Sequence, residues 1–335
     1  MAVALMVVNF LVIWTPLTLK MIIDVFNGDA DGICALQQLR LAQPCEARLI
    51  SGVKRDIRLL DQVVEPVEVL TVLDVSMSTN RQPLELLLAQ GSHVLYADHH
   101  DPGVPLTHPL LVNLVDADPA ICTGLIMNRY LQNQFPAWGV VAAFGDNLHD
   151  SALQLAGEHH LVESEIQILR ELGELLNYNG YGKSVDDLHF DPVDLYKALH
   201  PYVNPVDFYN ESSDLAQLRQ GFHDDMGAAR RVKPFQEKEH GRVYQFPDEP
   251  WARRVVGVFA NERAREAPDK GHALLVADGQ GGYVVSVRAP LASKQGAVEL
   301  CRQFPSGGGR AAAAGINHLP EADLDAFLDA FSLAW

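Results

Sequence analysis

Ile22-Ile-Asp-Val-Phe-Asn-Gly-Asp-Ala-Asp-Gly32 joins an apolar run to a turn that carries carboxylates. Its first five residues form a short run rich in β-branched side chains, which is typical of a buried strand. Asp29 and Asp31 follow directly, and helical spacing then runs from Gly32 to Leu41. A strand, a polar turn and a helix in this order predict the first unit of a parallel α/β sheet. In such sheets, ligands bind at the carboxyl ends of the strands.

Three more apolar runs end in acidic or imidazole side chains. Val67 to Leu73 precedes Asp74, Val94 to Ala97 precedes Asp98-His99-His100, and Val140 to Gly145 precedes Asp146. We interpret all three runs as buried strands, so four strand ends would meet at one sheet edge. Each motif alone is as well explained by a turn, a cap or an ordinary structural role. Together they predict a metal site, because clustered carboxylates need cations, and oxygen with imidazole ligands suits Mn²⁺ or Mg²⁺.

The rest of the chain divides into a helical part and a second sheet. Helical spacing prevails from about 151 to 236, and strands are predicted at Arg253 to Ala260, Ala273 to Ala277 and Gly282 to Val287. A glycine-rich stretch and a closing helix, Glu321 to Phe331, follow. We therefore predict a parallel-sheet domain over 21–200, a helical linker over 201–240 and a smaller α/β domain over 241–335.

The first twenty residues form an apolar segment that needs its own interpretation. No Lys or Arg precedes the apolar run and no small-residue cleavage site follows it, which argues against a signal peptide. Asn9 and Pro16 interrupt it, which argues against a membrane span. We interpret 1–20 as an upstream extension outside the working fold, with an added packed element or a membrane anchor as alternatives. No membrane partner is expected.

Composition narrows the class of partner. The net charge is −17, from 43 acidic against 26 basic side chains, which opposes binding of long nucleic acid but allows a short phosphate substrate. The four cysteines form no C-x-x-C pair, so a zinc ribbon is not indicated. Scattered thiols favour a reducing, cytoplasmic location.

Two motifs carry a resemblance to a known superfamily. Asp98-His99-His100, preceded by the Asp-x-Asp-Gly turn and a lone strand-end Asp74, resembles the DHH phosphoesterases. Gly307-Gly-Gly-Arg-Ala-Ala-Ala-Ala-Gly315 looks like the glycine-rich signature of the accompanying DHHA1 domain. Together they cover nearly everything from Met21 to Trp335. The superfamily includes RecJ-type exonucleases, nano-RNases that also dephosphorylate pAp, cyclic-dinucleotide phosphodiesterases, and pyro- or polyphosphatases.

The resemblance implies two divalent cations, with Mn²⁺ favoured over Mg²⁺. Carried over by motif, the metal ligands would be Asn27, Asp29, Asp31, Asp74, His99 and Asp146. Asp29 would bind the first cation, beside Asn27 at a position where many members carry His or Asp. Asp31, His99 and Asp146 would bind the second, and Asp74 would bridge the two.

The resemblance also implies roles in catalysis and in substrate binding. His100 would face the substrate phosphate, and Asp98 would orient an imidazole. The substrate-binding candidates are Arg288, Gly307, Gly308, Gly309 and Arg310. The glycines would let backbone amides approach a phosphate, and the alanines after them would start a helix. Two features stay open: Lys54-Arg55 either guides phosphate or is a solvated pair, and Tyr178 or Tyr181 either contacts a base or belongs to a helix exit.

The implied function is Mn²⁺-dependent hydrolysis of short oligonucleotides or small nucleotide phosphoesters in an interdomain cleft. Two alternatives remain: a pyrophosphatase or exopolyphosphatase, and a weakly catalytic nucleotide-binding regulator. The second alternative rests on neutral Asn27 and on Arg310, which stands where the family motif carries His. Members of the superfamily self-associate, so a homodimer is one expectation.

Overall fold

The computed structural model describes residues 21–335, and the predicted extension over 1–20 lies outside this range. A five-stranded parallel sheet forms the N-terminal part in the order β2-β1-β3-β4-β5. Its strands are Ile22–Phe26 (β1), Arg48–Ile50 (β2), Val69–Leu73 (β3), His93–Asp98 (β4) and Leu111–Val115 (β5). The predicted parallel α/β fold is confirmed, although β2 and β5 were not predicted.

Nine α-helices cover and extend this sheet within the described residues. They are Ala30–Ala42 (α1), Arg81–Ala89 (α2), Thr123–Tyr130 (α3), Pro136–Gly145 (α4), His149–Glu158 (α5), Glu163–Asn179 (α6), Pro192–Leu199 (α7), Pro205–Glu211 (α8) and Ser213–Arg231 (α9). Pro192 and Pro205 stand at the first helical position of α7 and α8, where a missing N–H costs nothing. None of the helices between Met21 and Trp335 has the length and apolar character to cross a bilayer.

The strand predicted at Val140 to Phe144 is wrong, because this run lies inside α4. Every residue from Trp138 to Gly145 is buried, so the run shows neither helical nor strand periodicity. A uniformly buried apolar run cannot be assigned from periodicity alone. The decisive signal is Pro136, which begins the helix two residues before the apolar run.

The C-terminal part is a six-stranded mixed sheet in the order β10-β11-β9-β8-β7-β6. Its strands are Gln236–Glu237 (β6), Gly241–Phe246 (β7), Gly271–Ala277 (β8), Gly282–Arg288 (β9), Gly307–Gly309 (β10) and Ala313–Pro320 (β11). The helices are Pro250–Glu266 (α10), Ala297–Cys301 (α11) and Leu324–Ala334 (α12). The predicted α/β class is confirmed for this part as well.

Two local predictions in the C-terminal part are wrong. Arg253 to Ala260 belongs to α10 instead of a strand. Because β7 and β8 are parallel neighbours, the chain needs a crossover between them, and α10 provides it. The alanines after Gly309 do not start a helix; Ala313 begins β11, which pairs with β9 and β10.

The two parts of the chain share one apolar core. The cluster that contains Leu172 of α6 continues through Phe259 of α10 to Leu274 of β8, all of them buried. The helix α10 thus contacts both its own sheet, at β8 and β9, and the N-terminal helices α6 and α9. This shared core sets the position of the C-terminal sheet relative to the edge where β1, β3 and β4 end.

A buried ionic network reinforces this contact. Asp225 of α9 accepts hydrogen bonds from Arg254 Nε of α10 at 2.7 Å and from the Tyr178 hydroxyl of α6 at 2.5 Å. Burial alone would raise the pKa of Asp225, but the hydrogen bonds from His189, Arg254 and Tyr178 lower it to about 2. Tyr178 is therefore committed to the core and is not a base contact, which settles one open alternative for this residue.

We expect Asp225→Asn to destabilise the protein by about 3–5 kcal/mol, because Arg254 would keep a buried charge without its partner. Asp194→Asn, which removes the exposed partner of Lys197, should cost less than about 1 kcal/mol. Urea unfolding at neutral pH measures both.

A carboxyl with a depressed pKa stabilises the fold above its unfolded pKa of about 3.9. The difference between wild type and Asp225→Asn should therefore fade from about pH 4 toward pH 2. Equal losses in the two variants would contradict this account.

Candidate metal centre

The acidic and imidazole residues singled out in the sequence meet at one edge of the N-terminal sheet. Asp29 and Asp31 follow β1, Asp74 follows β3, and Asp98 ends β4. These three strands are adjacent in the sheet. Asp146 reaches the same place from the end of α4, so the predicted four strand ends are three strand ends and one helix end.

Backbone donors hold the first two carboxylates. The Asp29 side chain caps α1, where its Oδ1 accepts from the N–H of Asp31 at 3.0 Å and of Gly32 at 3.2 Å. Asp31 accepts from the N–H groups of Thr123 and Gly124 at 2.8 and 2.7 Å, at the start of α3. Helix N-termini favour negative charge, so both carboxylates are oriented before any cation binds.

Two backbone features position the remaining carboxylates. A Cβ added at Gly145 would lie 2.3 Å from Ala30 Cβ, so this glycine lets α4 approach α1 and brings the next residue, Asp146, to the turn after β1. Asp74 has φ of 58°, in the left-handed region that non-glycine residues rarely adopt. Such strain is concentrated at functional sites.

His99 faces three carboxylates with one nitrogen. Its Nδ1 lies 2.9 Å from the carbonyl oxygen of Ile121, so Nδ1 carries a proton and donates it there. The other nitrogen, Nε2, lies 3.4 Å from Asp74, 3.7 Å from Asp146 and 4.0 Å from Asp31. Neighbouring ligands of an octahedral Mg²⁺-like ion are about 3 Å apart. A divalent cation held by these four side chains would require the contacts of His99 Nε2 to shorten by up to about 1 Å.

The charges at this position favour a cation. Burial, together with the nearby Asp31, Asp29 and Asp146, raises the pKa of Asp74 well above its usual value. Burial also raises the pKa of Asp146. Burial would lower the pKa of His99, but the surrounding carboxylates outweigh it and raise the pKa. The negative charge is thus only partly balanced by the protein, and a divalent ion would balance it.

His100 lies at the exposed side of the cluster. Asp98 is fully buried, and its Oδ1 accepts from His100 Nδ1 at 2.7 Å and from the His99 N–H at 2.9 Å. Asp98 thus fixes the tautomer of His100, whose Nε2 is left free. Asp74, His99 and His100 each also offer one ligand atom within 4.8 Å of the others, so His100 can serve as a ligand or face the substrate.

Lys54 also belongs to this site, although its role was left open in the sequence. Its Nζ lies 2.5 Å from Asp29 Oδ2, 3.1 Å from Asn177 Oδ1 and 3.5 Å from Asp146 Oδ1. Burial would lower the pKa of Lys54, but Asp29, Tyr181 and Asp146 outweigh it and raise the pKa well above its usual value. The lysine is therefore a charged member of the cluster.

The donors assigned to the first cation fit a metal poorly. Asp29 Oδ1 is bound by two backbone amides and Oδ2 by the ammonium of Lys54. Asn27 is neutral and donates weakly from Nδ2 to the Lys54 carbonyl oxygen at 3.4 Å. Its buried Oδ1 has no protein partner and is available as a ligand, but it brings no charge. Of the two cation positions that the resemblance implies, the one around His99 fits and the one around Asp29 does not.

An interdomain cavity adjoins the cluster. A cavity of about 90 Å³ lies over the carboxylates and His100, and one of about 240 Å³ shares Lys54 and Asp146 with it. Tyr181, Arg265 and Arg288 line the larger one. Arg288 Nε donates to Asn261 at 2.8 Å, and no carboxylate within residues 21–335 forms an ion pair with its guanidinium. A cation that faces a cavity without an acidic partner is suited to an anionic ligand.

The glycine-rich stretch lies elsewhere. Gly307 to Gly309 form β10 and pair with β11, and the exposed Arg310 follows in the connecting hairpin. A Cβ at Gly307 would lie 1.8 Å from the Cys301 carbonyl oxygen, so packing alone requires this glycine. These four residues do not line the cavity beside Lys54. Their role in substrate binding stays a prediction.

Solved structures of known proteins share this architecture. No family model matches the sequence, and a search of curated proteins finds no match either. Among solved structures, the exonuclease RecJ bound to manganese is 17% identical with a TM-score of 0.61, over 94% of this chain and 90% of that one. A DHH domain described as a member of a family of ribosomal proteins is 15% identical with a TM-score of 0.60, over 94% and 86%. A pGpG-specific phosphodiesterase from Vibrio cholerae is 12% identical with a TM-score of 0.54, over 94% and 99%.

These similarities define the class by its fold: a parallel-sheet domain followed by a smaller mixed-sheet domain. The chain has the fold of the DHH-domain proteins over nearly all of its described length. The family resemblance inferred from the Asp-His-His motif is thereby confirmed at the level of fold. The metal ligands that the resemblance implies stay a prediction, because these solved structures are at most 17% identical to the chain.

We expect Mn²⁺ to stabilise the wild-type protein, since it would bind the folded cluster and not the unfolded chain. At free Mn²⁺ of about 100 times its Kd, the free energy of unfolding should rise by about 2.7 kcal/mol. The same addition should stabilise His99→Ala far less. His93→Ala, an exposed substitution on the same strand β4, should respond like the wild type. Thermal unfolding with and without Mn²⁺ checks this, and an equal gain for His99→Ala would rule out the proposed ligand set.

Proposed function

We propose that this chain is a divalent-cation-dependent phosphoesterase that hydrolyses short oligonucleotides or small nucleotide phosphoesters. The observation that carries the proposal is the position of His99 Nε2, between 3.4 and 4.0 Å from carboxylates of three separate segments. Carboxylates and an imidazole on one buried edge are suited to Mn²⁺ or Mg²⁺. The RecJ structure is described as bound to manganese, which supports Mn²⁺ as the first ion to test.

The chemistry would divide between the cation and the protein. A divalent cation supplies Lewis-acid chemistry here, polarising a phosphoryl oxygen and acidifying a water. His99 presents Nε2 as a ligand because Ile121 holds its other nitrogen. His100, held by Asp98, turns Nε2 toward the exposed side of the cluster. With both ring nitrogens protonated and Asp98 balancing the added charge, His100 can donate the Nε2 proton to the oxygen that leaves. Asp98 acts through His100 and is a positioning residue.

The cavity supports a small substrate. Its volume of about 240 Å³ and the flanking Arg265 and Arg288 suit a phosphate with one attached nucleoside or a short end of an oligonucleotide. Tyr181 provides an aromatic face on the same wall for a base. The net charge of −17 argues against holding a long polyanion outside the cleft. This size and charge also disfavour long polyphosphate.

A second candidate is a nucleotide-binding regulator with little turnover. Its specific support is Lys54, whose ammonium occupies Asp29 where the resemblance implies a metal. In this alternative the cleft would hold a nucleotide through Arg288 without hydrolysing it. Saturable nucleotide binding with no product release would favour the regulator over the enzyme.

We expect Asp74→Asn to lose more than about 100-fold in turnover, since even residues outside a metal shell contribute about 10–100-fold. Asparagine tolerates the left-handed backbone at this position, so the change removes charge with little strain. The assay is Mn²⁺-dependent hydrolysis of pAp, pGpG, short RNA, c-di-AMP and polyphosphate, with His93→Ala as the control. Turnover by wild type that persists in Asp74→Asn would refute the assignment, and wild-type silence across the panel would refute the enzyme.

We expect Arg288→Ala to raise KM about 10–100-fold with a smaller change in kcat. A hydrogen bond to a charged group contributes about 1.5–3 kcal/mol, and Arg288 lies in the cavity wall, not among the carboxylates. Arg288→Lys should recover only part of the loss, because Lys lacks the planar fork. Arg302→Ala, at an exposed arginine of the same domain outside the cavity, is the matched control. An unchanged KM in Arg288→Ala would contradict a role in substrate binding.

A further inference from the structure

Lys54 lies among the carboxylates of the candidate metal centre, beside Asp29 and Asp146. Its loop follows β2, and β2 is the neighbour of β1 on the side away from β3. The loops after β1 and β2 therefore lie side by side, which brings Lys54 against Asp29. We propose that the ammonium of Lys54 takes the place of one of two cations, so that this chain binds a single divalent cation through Asp31, Asp74, His99 and Asp146. The inference concerns the site of the proposed function and refines it.

The lysine is held in place from several directions. Its backbone N–H donates to the Gly180 carbonyl oxygen at 2.8 Å, and its Nζ donates to Asn177 Oδ1 at 3.1 Å. The ammonium also lies 5.6 Å from the centre of the Tyr181 ring, within the range of a cation–π contact. The C-terminal end of α6 thus supports the same ammonium that pairs with Asp29. A solvated surface lysine would have none of these contacts.

Asp29 is a poorer metal ligand than Asp31 in this arrangement. Each oxygen of Asp31 accepts one backbone N–H and keeps a lone pair for a metal, whereas the oxygens of Asp29 are taken up more fully. Asp29 Oδ1 accepts from two backbone amides, and Asp29 Oδ2 is 2.5 Å from Lys54 Nζ. Moreover, the nearby Asn27 brings no charge where many family members carry His or Asp. A weakened ligand and an added cation at the same position compensate each other. Neutral Asn27 reduces the need for a divalent ion, and Lys54 neutralises the carboxylate that remains.

The ammonium of Lys54 and a divalent cation differ in chemistry. An ammonium balances charge and donates hydrogen bonds, including to a phosphate oxygen, but it does not act as a Lewis acid. The contribution of Lys54 to the reaction is therefore to hold and neutralise the substrate phosphate beside the remaining cation. Lys54 also lines both cavities, so a phosphate that spans them would contact it.

Metal content tests this inference without relying on activity. Purified wild-type protein would be loaded with Mn²⁺, passed over a desalting column and analysed for Mn²⁺ per chain, with the electron paramagnetic resonance spectrum recorded in parallel. We expect about one Mn²⁺ per chain and the spectrum of an isolated ion, whereas a two-metal site holds ions about 3.5–4 Å apart and gives an exchange-coupled spectrum. About two Mn²⁺ per chain with a coupled spectrum, or none retained, would overturn the inference.

A double variant tests the role of Lys54 directly. Asn27→Asp combined with Lys54→Ala should raise the content to about two Mn²⁺ per chain and give a coupled spectrum. Lys197→Ala, an exposed lysine far along the chain on α7, should stay at about one. A double variant that folds, as judged by circular dichroism, and stays at about one would contradict the exchange of Lys54 for a metal. If it fails to fold, the wild-type count still decides.

The metal count tests the single-cation site and the hydrolysis panel tests the proposed function, so either hypothesis can be overturned without the other. A wild type that holds one Mn²⁺ but hydrolyses no substrate would overturn the proposed function and leave the single-cation site standing. A wild type that holds a coupled pair and turns over a nucleotide would do the reverse.

Discussion

The central constraint on this molecule is the burial of several carboxylates at one sheet edge. Asp29, Asp31, Asp74 and Asp98 are each at most 2% exposed, and such a cluster is unfavourable in a folded protein unless its charge is balanced. The protein supplies part of the balance through helix N-termini, backbone amides and Lys54. The remaining negative charge lies around His99, and a divalent cation there would balance it. The fold that brings these carboxylates together therefore also produces the concentrated negative charge of the site.

The same constraint explains features that would otherwise look costly. Asp74 adopts a left-handed backbone that directs its carboxylate toward Thr123 and His99. Gly145 has no side chain, which lets α4 approach α1. The shared core and the Asp225–Arg254 pair then hold the second sheet against the cluster, which places Arg288 on the cavity wall. The carboxylate cluster and the cavity wall that carries Arg288 thus come from different parts of the chain.

The sequence predicted the strands β1, β3 and β4 because each is a short apolar run with acidic or imidazole side chains just beyond or at its end. It also brought Asp29, Asp31, Asp74 and His99 to one edge, since parallel strands end together. It failed at α4 and α10, where uniform burial hides the helical period and a parallel strand pair demands a crossover. Lys54 was left undecided because β2, only three residues long, gave no recognisable strand signal. Without β2 as the neighbour of β1, nothing in the sequence placed this lysine beside Asp29.

The account is tested most directly by a crystal structure of the Mn²⁺-loaded protein with anomalous diffraction data collected near the manganese edge. The account predicts one anomalous peak among Asp31, Asp74, His99 and Asp146, with Lys54 Nζ still bound to Asp29. A second peak beside Asp29 with Lys54 displaced, or no peak among these residues, would contradict it.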